Sequence, residues 1–266
     1  MPQPVTAALV QQLDRVDALS TRLDALILKP PPPGSAAFVD KNDRLRVLAH
    51  DLAPTYLVAA LDHLRAWRTL LHAGEVPMYA HMSLLRTAHE SALAALWLVE
   101  PGVSADERCA RGVAAQLADY KERRNVEVAM AITSAPPPAQ TAVQRHAALL
   151  AVAEQRGLTK ASQKGQAVLI TPCLPAVELF DWFEPVHDDS NAKGSYLYRL
   201  YSGFAHAKQW VLALLGAQRI TPFDEVGRAV AVAPGSDLLT VIATERTVDA
   251  VERAVAACEE LHRPTG

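Results

Sequence analysis

The chain has 266 residues, of which 50% are hydrophobic, so it is long enough to bury a large core without disulfide or metal staples. Aromatic residues make up only 6%, and a chain whose apolar residues are mostly alanine, leucine and valine is expected to be mainly all-α, as a multi-helix bundle. The formal net charge of -3 excludes a global basic field of the kind that drives nonspecific nucleic-acid binding.

Cysteine spacing, the N-terminal sequence and the length of the apolar runs predict where the protein is located in the cell. Cys109, Cys173 and Cys258 are odd in number and widely spaced, which predicts reduced, structural thiols and not a disulfide framework. The N-terminus has no basic start with an apolar core, and no run reaches the roughly 18 apolar residues of a membrane span. We therefore expect a cytoplasmic, soluble protein with no membrane contact.

Leucines at three- and four-residue steps predict an amphipathic first helix over residues 5–28. KPPPPG at 29–34 ends it, because a proline run forces extended backbone and forms a stiff connector. The leading helix then either docks on a partner subunit or folds back onto its own chain. We assign residues 1–34 to an N-terminal helix with a proline-rich connector and 35–266 to a helical domain.

The rest of the sequence predicts further helices, a loop and a short hairpin. A helix begins near Asp40, and LAPT at 52–55 is expected to break it before the next one. RGLTKASQKGQ at 156–166 is predicted to be an exposed, mobile loop, and RAVAVAP at 228–234 to be one arm of a short β-hairpin before the C-terminal helix, paired with 218–223. The other predicted helices cover 55–72, 78–100, 104–130, 139–156, 175–183, 195–217 and 236–261.

The most informative stretch is YRLYSGFAH at 198–206, inside a long apolar helix. Arg199 and His206 are seven residues apart, so on a helix they project within about 20° of each other, with Ser202 and Gly203 between them. Polar groups on an apolar helix are costly unless they are solvated or paired, which predicts that the row lines a cleft or an interface. The alternative is structural: Arg199 pairs with a neighbouring carboxylate and His206 donates to a backbone carbonyl.

A second polar strip lies on the helix over 78–100. Arg86 and Glu90 can pair at i,i+4, with His89 on the same side. Because both helices are otherwise apolar, we expect them to pack together, so that Glu90 or Arg86 orders Arg199 and His206 in one polar cleft.

Histidine and acidic spacings do not indicate a metal centre, and we expect neither a metal nor a cofactor. His63, His72 and His81 recur every nine residues, a spacing that places successive histidines on opposite faces of a helix. Glu259-x-x-His262 has the spacing of one half of a helical di-iron site, but it lies near the end of the last predicted helix, where a helix frays. The acidic loop at 187–191 could hold a cation, but it reads more readily as a solvated loop that caps the following helix.

The spacing from Arg199 to His206, late in a helical chain, resembles the HEPN superfamily (higher eukaryotes and prokaryotes nucleotide-binding), whose loose signature is an arginine and a histidine with four to six residues between them. YLYRLYSGFAH, together with LLRTAHESALAALWLVEP, also resembles a group of uncharacterised, mostly actinobacterial helical proteins. Those proteins pair an Arg-x3-Glu helix with a Tyr-x-x-Tyr-Ser-x3-His helix. This second resemblance covers residues 50–262.

The HEPN resemblance implies a homodimer that cuts RNA without metal, as toxin or defence endoribonucleases do. It would make His206 and Arg199 catalytic, through proton transfer by the imidazole and charge stabilisation by the guanidinium, with Ser202 beside them. The alternative is a non-catalytic module that binds a nucleotide, a small molecule or a partner protein, and Leu200 directly after the arginine favours it. The residues expected to support either site are Arg86, Glu90, His89, Tyr198, Tyr201 and Lys208.

Overall fold

A computed structural model gives the fold and describes residues 3–74, 79–131, 139–184, 194–208, 210–211, 218–219, 231–232 and 237–264. Over these residues the chain is mainly α-helical, with a short antiparallel hairpin before the C-terminal helix, as the composition and periodicity predict. None of the described helices is both long and apolar enough to cross a membrane.

The helices follow one another along the chain with short connections. They are α1 (Gln3–Leu28), α2 (Ala36–Lys41), α3 (Val47–His72), α4 (Ala80–Leu98), α5 (Ala105–Ala129), α6 (Ala142–Gln155), α7 (Ala176–Phe183), α8 (Ser195–Ala205) and α9 (Asp237–Leu261). The strands are β1 (Thr159–Ala161), β2 (Ala167–Leu169), β3 (Gln218–Arg219) and β4 (Ala231–Val232). β1 pairs with β2 and β3 with β4, both antiparallel.

The chain divides into two compact units, each made of separate stretches of sequence. Unit 1 comprises Met1–Ala25, Tyr56–Ala94 and Pro175–Val255, and unit 2 comprises Leu26–Thr55, Ala95–Leu174 and Ala256–Gly266. The boundary that the sequence suggested at residue 34 stays a prediction.

In unit 1 the first helix folds back onto its own chain, which decides between the two alternatives left open by the sequence. Its apolar stripe is buried in the core: Leu9, Leu13, Val16, Leu19 and Leu23 are at most 2% exposed. Ion pairs hold its polar side, because Arg15 contacts Asp249 of α9 at 2.9 Å and Asp17 contacts Arg68 of α3 at 2.8 Å. Exposed pairs of this kind contribute little, so the buried leucines supply most of the stabilisation.

Unit 2 is organised around a close crossing of α3 and α5. A Cβ added at Gly112 would lie 2.7 Å from the Ala49 backbone nitrogen, so only glycine permits this approach. Beside the crossing, the buried carboxylate of Asp40 accepts hydrogen bonds from His50 at 3.0 Å and Arg108 at 2.9 Å. Burial acts to raise the pKa of Asp40, but these hydrogen bonds and the charge of Arg108 lower it below its usual value.

The predicted break at LAPT is wrong, because α3 runs unbroken from Val47 to His72 with Pro54 inside it. A proline in a helix interior removes one backbone hydrogen bond and costs about 3 kcal/mol or more. Residues along one face of α3 are completely buried both before and after Pro54: Ala49, Ala53, Leu57 and Ala60. Packing of this apolar stripe outweighs the local cost of Pro54. The rule that a proline breaks a helix considers the local backbone alone and does not include this packing.

The predicted mobile loop at 156–166 is also wrong in its secondary structure. The segment contains β1 and the turn into β2, with Thr159 opposite Leu169 in the ladder. Ser162 and Gln166 close the turn through a backbone hydrogen bond of 2.8 Å, and Gly165 adopts a positive φ of 71°. The sequence carries no strand signal because both strands are only three residues long and neither contains a fully buried residue.

The predicted helix over 195–217 is interrupted, because α8 ends at Ala205 and residues 210–211 are helical again. Residues 209 and 212–217 of the predicted span lie outside the described residues. The Lys208 amide bonds the Gly203 carbonyl at 2.8 Å, and the Ala207 amide bonds the Phe204 carbonyl at 3.0 Å. These two hydrogen bonds form a Schellman motif, whose left-handed residue is Ala207 with φ of 48°. Glycine usually occupies this position, so an alanine there gave no stop signal in the sequence.

We predict that Ala207→Gly stabilises the protein by about 0.5–1 kcal/mol, because glycine adopts a positive φ without the steric penalty of a Cβ. The matched control is Ala256→Gly, at an exposed position inside α9, which should destabilise by about 1 kcal/mol. Chemical denaturation of both variants measures the difference. Destabilisation by both substitutions would contradict the assigned helix end.

Candidate functional site

The α8 helix carries the predicted site, and a tight junction with α7 fixes where it begins. A Cβ at Gly194 would lie 2.1 Å from the Phe180 carbonyl oxygen, so this position requires glycine. The Asp181 carboxylate of α7 accepts a hydrogen bond of 2.7 Å from the Ser195 amide, one of the free donors at the α8 N-terminus. The start of the helix is therefore set by α7.

The inner side of α8 is anchored by a buried hydroxyl. Tyr201 is fully buried, and its hydroxyl donates to the Ala243 carbonyl of α9 at 3.2 Å and lies 3.3 Å from the Thr247 hydroxyl. The same hydroxyl lies 3.4 Å from Nδ1 of His89 on α4. Burial raises the pKa of the Tyr201 phenol well above its ordinary value, so it stays a neutral donor.

Through its second nitrogen, the buried His89 ring contacts a carboxylate at the end of α7. Its Nε2 lies 3.1 Å from Glu184, which is also bound by Arg253 of α9 at 2.7 Å. Burial acts to raise the pKa of Glu184, but the hydrogen bond from His89 and the charge of Arg253 lower it below its usual value. Three helices therefore meet at one ionised carboxylate.

Next to this buried network lies a half-buried group on α4 and α8. Arg86 donates to Glu90 at 2.6 Å and to the Tyr198 hydroxyl at 3.4 Å, and its guanidinium lies 5.1 Å from the centre of the Tyr198 ring. The predicted i,i+4 pair is present, and the expected packing of this helix against the later one is confirmed by the contact with Tyr198.

The predicted row itself faces solvent. Arg199 and His206 are exposed, Ser202 is half-buried and Lys208 is exposed. The His206 amide still bonds the Ser202 carbonyl at 3.0 Å, so the last helical turn places His206 on the side of Arg199. Neither Arg199 nor His206 has a side-chain hydrogen bond or ion pair to another described residue, which differs from the buried, paired arrangement of the structural alternative.

Gly203 lets a later part of the chain pack closely against α8. A Cβ at this position would lie 2.5 Å from the Trp210 ring and 2.7 Å from the Val211 side chain. The glycine therefore admits the returning chain. Trp210 stays 47% exposed beside the row, as does Tyr196 at 47%. We define the α8 face as the exposed residues Tyr196, Arg199, His206, Lys208 and Trp210 together with the half-buried Ser202.

The structure thus separates the nine predicted site residues into three environments. The contacts between α4 and α8 run through Tyr198 and Tyr201, whereas Glu90 bonds Arg86 on its own helix. No hydrogen bond between described residues links Glu90 or Arg86 to Arg199 or His206, so ordering of the row by those two side chains stays a prediction.

Sequence reasoning missed the partners of His89. Glu184 and Arg253 are separated by 69 positions and each follows an ordinary helical pattern, so nothing in the spacing relates them. The available signal was a glutamate directly after Phe183, at the end of a helix that is mostly apolar and aromatic.

No group of three or more potential metal ligands comes together among the residues that the structure describes. His262 instead lies 2.8 Å from the Cys258 carbonyl, and His81 lies 3.3 Å from the Thr240 hydroxyl. The acidic loop residues His187, Asp188 and Asp189, and the predicted cap Ser236, lie outside the described residues. No family model, curated protein or solved structure matches the chain.

We predict that Glu184→Gln destabilises the protein by about 2–4 kcal/mol, since it removes the buried charge that His89 and Arg253 contact. The range allows for Arg253, whose side chain is 40% exposed and partly hydrated. Glu178→Gln is the control, because it makes the same change at an exposed site on the same helix. Urea denaturation gives both values, and equal effects would count against the network.

Stability should also depend on pH through Glu184 and Asp40. Because folding lowers the pKa of both carboxyls, their contribution is complete above the unfolded value of about 4 and is lost as pH falls below it. Glu184→Gln should therefore reduce the loss of stability between neutral and acidic pH. A fall in stability as steep as that of the unmodified protein would contradict the assignment.

Proposed function

We propose that the chain is a binding module that holds single-stranded RNA along the α8 face. The observation that carries the proposal is the exposure of Arg199 and His206 on one side of a helix whose segment, 194–208, contains no acidic residue. Because the net charge of the chain is -3, any phosphate contact has to be made at a local site, and the segment 194–208 provides one. The Arg-x6-His resemblance connects the same two residues to nucleic acid.

The cations of the face suit a phosphate backbone. Arg199 presents five donors in a planar fork that matches phosphate oxygens, and Lys208 adds an exposed ammonium at the helix end. Arg86 lies on the Ser202 side of the row, where Tyr198 holds it. Its charge is partly offset by Glu90, so we assign the main phosphate contact to Arg199.

Aromatic rings provide the second feature of a single-strand surface. Tyr196 and Trp210 are each 47% exposed; Tyr196 lies on the side of α8 opposite Tyr198, and Trp210 packs against Gly203. Bases of an unpaired strand stack on such rings, with about 1–3 kcal/mol per base, whereas a duplex keeps its bases inside. The Ser202 hydroxyl lies on the helix between Arg199 and His206 and can bond either a phosphate or a ribose hydroxyl.

Helix geometry favours binding over cleavage. Arg199 and His206 are about 10 Å apart along the helix axis, and both side chains lean toward the helix N-terminus, so they do not converge on one phosphate. The α8 face also offers a single imidazole, whereas cleavage of RNA by acid and base catalysis needs two proton-transferring groups. A second copy of the chain could supply the other group, which keeps the HEPN-like endoribonuclease as the second candidate.

We predict that Arg199→Ala weakens binding of a fluorescein-labelled, mixed-sequence single-stranded RNA about five- to tenfold, measured by fluorescence anisotropy. Loss of one phosphate contact should also reduce the slope of log K against log salt by about 0.7. Arg44→Ala is the control, since Arg44 is exposed and lies in unit 2. Equal affinities for the two variants would remove the α8 face from the interaction.

Incubation with total RNA in EDTA separates binding from cleavage. We expect the RNA to stay intact, with His206→Ala and Arg199→Ala behaving like the unmodified protein in this assay. Cleavage that both substitutions abolish would instead assign the endoribonuclease activity, with His206 and Arg199 as its catalytic residues.

A further inference from the structure

The connector between α1 and α2 has a backbone that its own sequence fixes. Prolines at positions 30–33 hold φ near −65°, and each residue from 29 to 32 precedes a proline, which disfavours the helical region. These two restrictions favour a polyproline II helix, which has three residues per turn and no internal hydrogen bonds.

A turn ends this extended segment. The Ser35 amide bonds the Pro32 carbonyl at 3.2 Å, with Pro33 and Gly34 as the central residues and a φ of 81° at Gly34. This is the pattern of a type II turn, with proline first and glycine second. The Ser35 hydroxyl also donates to the Pro32 carbonyl at 2.7 Å and accepts from the Phe38 amide at 3.2 Å, which joins the turn to the start of α2.

Exposure along the segment follows its threefold period. Pro30 and Pro33 are exposed, whereas Pro31 and Pro32 are half-buried. Residues three apart lie on one edge of a polyproline II helix, so the two exposed prolines share an edge that points to solvent. Leu28, which is 80% exposed, and exposed Lys29 precede them. We call Leu28–Pro33 the proline strip.

We infer that the proline strip is a docking segment for a partner protein that recognises polyproline II helices through an aromatic-lined groove. Such grooves take two prolines at i and i+3, and the edge formed by Pro30 and Pro33 has this spacing. Among the described backbone hydrogen bonds, those to proline carbonyls of the strip involve Pro32 alone, so its other carbonyls can accept from the groove. Leu28 and Lys29 add an apolar and a charged contact beside the prolines.

Rigidity makes this segment a better ligand than a mobile tail. Its conformation is fixed by proline at four successive positions and by the turn at Gly34, so little conformational entropy is lost on binding. The strip belongs to unit 2, whereas the α8 face belongs to unit 1, and the inference does not rest on RNA binding.

Purified SH3, WW and EVH1 domains are the probes, titrated with the full-length protein by isothermal titration calorimetry. We expect saturable binding to at least one class, weakened at least tenfold by Pro30→Ala with Pro33→Ala. Because Pro33 also shapes the turn, Leu28→Ala with Pro30→Ala serves as a second variant outside it. Circular dichroism and the thermal midpoint check that both variants fold.

Two controls make the result specific. Pro101→Ala removes an exposed proline from a turn elsewhere in unit 2, and substitution of Pro136, Pro137 and Pro138 by alanine removes the other proline run. Both should bind as the unmodified protein does. The inference is overturned if no domain binds, if binding is lost only in the 136–138 variant, or if the Pro30 and Pro33 variant loses a self-association seen by sedimentation velocity.

Discussion

The hydrogen bonds of the Tyr201 hydroxyl determine how α8 is rotated about its own axis. Because this hydroxyl is fully buried, it must find partners, and the available ones are the Ala243 carbonyl and Thr247 hydroxyl of α9 and the His89 ring of α4. A rotation that broke these contacts would leave a buried phenol unsatisfied, at about 1–3 kcal/mol. With Tyr201 fixed inward, the opposite sector of the helix has to face solvent.

The rotation of α8 determines which residues of the predicted row are exposed. Arg199 and His206 lie on the outward sector, whereas Tyr198 and Ser202 lie at its edge, near Arg86. Arg199 and His206 are therefore accessible to solvent, and the chemistry of the row is that of contacts made by exposed side chains. The Schellman motif at the end of α8 limits this surface to about three turns of helix and places Lys208 at its end.

Each unit also contains one buried carboxylate shared by a histidine and an arginine. Asp40 accepts from His50 and Arg108 in unit 2, and Glu184 is contacted by His89 and Arg253 in unit 1. A buried carboxylate is tolerated only where charge-assisted hydrogen bonds replace its hydration, and these contacts are met only when the helices are in register. The two sites therefore specify how the helices of each unit are arranged, besides stabilising them.

The sequence alone determined the helical class, most helix positions, the hairpin before the last helix and the rigid proline segment, because these follow from periodicity, capping and backbone sterics between near neighbours. The Ser104 cap of α5 and the Arg86–Glu90 pair are local in this sense. Only the tertiary structure decided that α3 continues through Pro54, that α8 stops at Ala205 and that Glu184 joins His89 to Arg253. Those features depend on burial and on partners distant in sequence, and packing energy summed over such contacts overrides the preference of any single residue.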